Sequence, residues 1–178
     1  MNQKNKIMIS ALLCSLVTVI IFGIIVYLQR PSKEVLQANN ELMETSKKIR
    51  DYYRNKPDYW GLNSNEVIKN LLYSGKINNN QIINSIKKAV VIGSDRDGVT
   101  IMPGQRSFTI TYKNLTKKEC KELASFNWKI QDNLGLISMT IHNTNDYEFN
   151  WGENGLPLSR RKADKHCQDV NDILWVFE

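Results

Sequence analysis

The feature that most constrains this chain is an apolar run of 22 residues without a charge, from Ile7 to Leu28. In a helix that rises about 1.5 Å per residue, such a run spans roughly 33 Å, enough to cross a hydrocarbon core of about 30 Å. The run ends in Tyr27-Leu28 and is followed by Gln29 and Arg30, with no small-residue cleavage pattern. An uncleaved membrane anchor is therefore predicted, and a removed secretory signal is the alternative.

The charge of the rest of the chain excludes some classes of function. The sequence carries 24 Lys and Arg against 18 Asp and Glu, a net charge of +6. Setting aside the first 30 residues, which hold Lys4, Lys6 and Arg30 but no acid, lowers that net charge to +3. A protein that neutralises many phosphates would be more basic, so nucleic acid is not expected as the primary ligand. Four Trp, seven Tyr and five Phe in patterned segments predict a folded core.

The three cysteines bear on where the soluble part resides. Cys14 falls inside the apolar run, where it acts as a small apolar residue. Cys120 and Cys167 remain as a pair, which would form a disulfide in an exported domain and stay reduced in a cytosolic one. A cytoplasmic N-terminus, an exported head and a disulfide between Cys120 and Cys167 form the arrangement consistent with the anchor.

A helical periodicity follows the anchor. Apolar and small residues recur at alternating spacings of three and four, which predicts an amphipathic helix from Pro31 to Tyr53. We expect this stripe to pack on the protein's own domain; a coiled coil with a partner is the alternative, although three heptads are short for one. The stripe consists of Val35, Ala38, Leu42, Ile49 and Tyr52, with Thr45 at the same spacing.

The remainder of the chain mixes short helices with strands. Asn63 and Glu66 have the spacing of a helix start, and that helix is predicted to end at Gly75. Residues 76–88 are ambiguous and are predicted as loop with some helix. Period-two patterns predict strands at 89–92, 99–102, 107–112, 134–142, 147–151 and 173–177, with helices at 116–124 and 159–167.

This order of elements predicts an α+β fold in which a long helix packs on an antiparallel sheet. The expected organisation has four parts: a short basic N-terminus (1–6), a transmembrane helix (7–28), a helical continuation or stalk (29–54) and a globular head (55–178).

No residue pattern predicts an enzyme, a metal site or a cofactor site. His142 and His166 lack the spacing of zinc ligands, and no nucleophile elbow or phosphate-binding glycine loop is present. No small-molecule substrate is expected. A basic cluster could contact an acidic neighbour or an anionic surface, and the alternative is a solvated helix face. This cluster consists of Arg160, Arg161, Lys162 and Lys165.

Three ordered segments resemble the class b type IV pilins, in particular the bundle-forming and conjugative-plasmid pilins. The resemblance covers almost the whole chain. Tyr59–Asn63, Val67-Ile68 and Gly75-Lys76-Ile77 are similar to the stretch after the family's first helix. Phe108–Leu115 leading to Glu119–Ala124 is similar to the strand that runs into the first disulfide cysteine. Ala163–Gln168 and Ile173–Phe177 are similar to the second cysteine and the closing strand.

The resemblance implies a structural or assembly subunit of a type IV pilus. It implies one helix in a bacterial inner membrane, a periplasmic head that an extracellular pilus could include, and two kinds of partner: membrane lipid and other pilus or secretion-machine subunits.

The N-terminus departs from the family. Lys6 stands where the family's leader ends in Gly, so cleavage is not expected, and the apolar run lacks the family's Glu. Because that Glu pairs with a neighbouring subunit's amine, we expect a minor or initiating subunit and not the major pilin. The alternative is an unprocessed single-span scaffold of a secretion or pilus machine.

Overall fold

A computed structural model describes residues 17–21, 23, 31–93, 95–96, 99–100, 106–128, 134–152 and 155–178. The chain divides into two compact units, Met1–Ser32 and Lys33–Glu178. In the first unit, residues 17–21 and 23 are helical; the basic residues 1–6 and the rest of the predicted membrane segment lie outside the described residues. Within the described part of the chain, no helix is both long enough and apolar enough to cross a membrane.

The second unit has the predicted α+β fold, built on an antiparallel sheet. The helices are α1 (Lys33–Tyr53), α2 (Ser64–Lys69), α3 (Lys117–Ala124) and α4 (Arg160–His166). The strands are β1 (Lys76–Asn78), β2 (Gln81–Ile83), β3 (Ala89–Gly93), β4 (Asp95–Arg96), β5 (Val99–Thr100), β6 (Phe108–Leu115), β7 (Leu136–His142), β8 (Asp146–Asn150) and β9 (Asn171–Phe177). Among the described residues, the sheet has seven strands in the order β1-β2-β3-β6-β9-β7-β8, and β4 pairs with β5 in a separate ribbon. The C-terminal strand β9 therefore lies inside the sheet, between β6 and β7.

Helix α1 belongs to the same unit as the sheet and contributes one side of its core. The Tyr112 hydroxyl, from the middle of β6, donates a hydrogen bond to the Ala38 carbonyl at 2.7 Å. This bond connects the helix to the sheet. Apolar packing connects them as well, since Tyr112 and Trp175 belong to the same core cluster as the helix residues. Four of the five stripe residues are at most 1% exposed: Val35, Ala38, Leu42 and Ile49.

Tyr52, the fifth residue of the predicted stripe, lies outside the core. It is 38% exposed, whereas Tyr53 is only 5% exposed. The Tyr53 ring lies 5.3 Å from the Tyr59 ring, which lies 4.8 Å from that of Phe108. The last buried position of the helix is therefore Tyr53, four residues after Ile49. Tyr53 is buried because its aromatic partner, Tyr59, comes from the segment after the helix.

Helix α2 begins as predicted but ends earlier. The Asn63 side chain accepts a hydrogen bond from the Glu66 amide at 2.9 Å, as a helix N-cap does. The helix ends at Lys69 and not at Gly75, because Leu71 takes a left-handed φ of 54° and the Leu72 amide turns back to the Val67 carbonyl at 3.0 Å.

Residues 76–88, predicted as loop with some helix, instead contain the β1–β2 hairpin. Asn79 and Asn80 have φ values of 45° and 62°, the left-handed conformation that a tight two-residue hairpin turn requires. All three residues of β1 are exposed, so the strand has no buried face to produce an alternating pattern. The paired asparagines are the local signal for this hairpin, since Asn tolerates positive φ better than most residues.

The packing of α1 predicts unequal effects of truncation on its two faces. Leu42→Ala should lower the free energy of unfolding by about 2–5 kcal/mol, because it leaves a cavity between helix and sheet. Lys47→Ala, at an exposed position of the same helix, should change it by about 0.5 kcal/mol or less. Denaturant titration of the purified protein measures both values. Equal, small effects would contradict the burial of the stripe.

Candidate functional site

A disulfide joins the two helices that flank one end of the sheet. Cys120 in α3 and Cys167, the residue after α4, have Cα atoms 5.9 Å apart and are bonded, which confirms the predicted pairing. Both cysteines are buried. The bridge closes a loop with a sequence separation of 47 residues, for which the loss of chain entropy in the unfolded state contributes roughly 4 kcal/mol. Neither cysteine is therefore a free thiol.

Local capping sets where each of these helices begins. Thr116 and Glu119 form a capping box at the start of α3: the Thr116 amide donates to the Glu119 carboxylate at 2.8 Å, and the Glu119 amide donates to the Thr116 hydroxyl at 3.3 Å. Ser159 caps α4 by accepting from the Lys162 amide at 3.2 Å.

On the surface, the two helices are also linked by an ion pair. The Lys121 ammonium lies 3.1 Å from the Asp164 carboxylate. The hydrogen bond from Lys121 lowers the pKa of the Asp164 carboxyl, and the charges of Lys121 and Lys117 act in the same direction.

Asn171, the first residue of β9, organises the chain around the disulfide, although nothing in the sequence pattern singled it out. Its side chain is buried and makes four hydrogen bonds. The amide nitrogen donates to the carbonyls of Leu115 at 3.2 Å and Gln168 at 2.6 Å. The amide oxygen accepts from the Gln168 backbone at 2.8 Å and from the Asn143 side chain at 3.2 Å. A single asparagine thereby connects the ends of β6, β7 and α4.

His166, the last residue of α4, packs against strand β8. Its ring centroid lies 4.4 Å from that of Tyr147 and 5.3 Å from that of Phe149. Burial lowers the pKa of His166 below its ordinary value, and the charges of Lys165 and Lys162 lower it further. Among the described residues, no three His, Cys, Asp or Glu side chains are grouped to hold a metal ion.

The predicted basic cluster lies on α4, beside a groove at the disulfide. Arg161 and Lys165 are exposed, and Arg160 and Lys162 are half-buried. The groove has a volume of about 810 Å³. Polar side chains from three parts of the chain line it, among them Asn114, Asn143 and Gln168. Its charged lining residues are two lysines, Lys117 and Lys165, and three carboxylates, Asp164, Asp169 and Asp172.

A second exposed feature is apolar and lies in the connection between α1 and β1. Trp60 is 65% exposed, and Leu71, the residue with the left-handed backbone after α2, is 74% exposed. Neither large side chain contributes to the core of this unit.

The geometry of the unit matches a known fold. No family model and no curated protein sequence matches the chain. Among solved structures it is similar to TcpA, a type IV pilin from the Vibrio cholerae El Tor biotype, with a TM-score of 0.55 and 16% identity over 83% of this chain and 100% of that chain. It also matches a type IV b pilin from Salmonella typhi, with a TM-score of 0.49 and 15% identity over 80% and 95% of the two chains. The likeness to TcpA establishes a type IV pilin fold.

Removing the Asn171 side chain should destabilise the protein more than removing a surface asparagine. Asn171→Ala leaves the buried Leu115 carbonyl, the Gln168 carbonyl and the Gln168 backbone amide without their partner, so the free energy of unfolding should fall by about 2–4 kcal/mol. Asn145→Ala, at an exposed turn position, should change it by about 0.5 kcal/mol or less. Denaturant titration with the disulfide intact measures both. A tolerated Asn171→Ala would contradict the connecting role.

The lowered pKa of His166 predicts acid sensitivity. As the pH falls through 6.5, its ordinary pKa, the unfolded chain takes up the proton before the folded one, so this group's contribution to stability falls with pH. His166→Phe retains an aromatic ring but cannot titrate, so it should lose less stability between about pH 8 and about pH 5.5. Unfolding free energies at both pH values test this, and equal losses in the two proteins would contradict it.

Proposed function

We propose that this protein is a class b type IV pilus-like subunit with a structural or assembly role. The observation that carries the proposal is the likeness to TcpA, which spans the whole of that pilin. The long first helix buried on the sheet and the Cys120–Cys167 bridge are consistent with the pilin resemblance of the three sequence segments. No catalytic role is proposed, because the two cysteines are bonded to each other.

The proposed location of the protein is the membrane. The uncharged run from Ile7 to Leu28 would anchor the chain in the bacterial inner membrane as a single span, with the head in the periplasm or in an extracellular pilus. Lys4 and Lys6 precede the run and would hold the N-terminus at the cytoplasmic face, since moving their charges into hydrocarbon is costly. Membrane lipid and other subunits of a pilus or secretion machine are the proposed partners.

The role of a minor or initiating subunit fits the N-terminal sequence better than the role of the major pilin does. The run from Ile7 to Leu28 contains no carboxylate that could pair with the amine of a neighbouring subunit. A first subunit has no earlier neighbour, so it does not need that pair. The second candidate is a single-span scaffold that stays in the membrane, favoured by Lys6 at the position where the family's leader has Gly.

Trp60 and Leu71 supply a surface for assembly. Because both side chains are exposed, they contribute little to the stability of a monomer, and a contact with another subunit would bury them. The left-handed backbone of Leu71 costs free energy that the monomer does not recover through burial of its side chain. We infer that the connection between α1 and β1 contacts another subunit.

The double variant Trp60→Ser, Leu71→Ser should remove the protein from the filament without unfolding it. In the host, we expect the wild-type protein in sheared pili as a small share of the subunits, and the double variant in the membrane fraction. Its melting temperature should stay near the wild-type value, because both side chains are exposed. Quantitative mass spectrometry of the two fractions measures the distribution.

Asn65→Ser, an exposed change in the same connection, is the matched control and should retain the wild-type distribution. Wild-type protein found only in membranes, with machine components recovered alongside it, would favour the scaffold and contradict a filament subunit. A high copy number in sheared pili would contradict the minor role.

A further inference from the structure

We draw no further inference here: the strongest candidate, the groove beside the Cys120–Cys167 disulfide, is lined by charged side chains of both signs, three carboxylates and two lysines, and among the residues that the structure describes no second feature points to a ligand for it.

Discussion

The packing of α1 against one face of the sheet is the interaction on which the rest of this unit depends. Leu42 and Ile49 have no exposed surface, and the Tyr112 hydroxyl bonds to the backbone of the helix at Ala38. The strand that completes this core is the last one, β9, whose Trp175 is fully buried next to Tyr112. The first helix and the final strand of the unit must therefore meet before the core closes.

Because the last strand, β9, lies between β6 and β7, the chain just before it must be held in position. The disulfide and the Asn171 side chain do this, because they secure the ends of β6, β7 and α4 where β9 begins. The Lys121–Asp164 ion pair adds a contact between α3 and α4 on their outward side. The proposed assembly surface lies elsewhere, in the connection between α1 and β1.

Much of the fold could be predicted because its signals are local. The capping box of Thr116 and Glu119 specifies a helix start through bonds between residues three apart, and the structure contains both bonds. The β1–β2 hairpin was missed for the opposite reason. Its strands are short and β1 is fully exposed, so the apolar periodicity that identifies other strands is absent, and only the Asn79-Asn80 turn carries a signal.

The sequence by itself determined the helical stripe, the helix starts and the identity of the paired cysteines, because spacing, capping and cysteine number are properties of neighbouring residues or of composition. Only the tertiary structure decided that Tyr53 and not Tyr52 enters the core, since its partner Tyr59 must first fold back. It also decided the role of Asn171 and the groove, because these depend on segments far apart in the chain meeting at one corner.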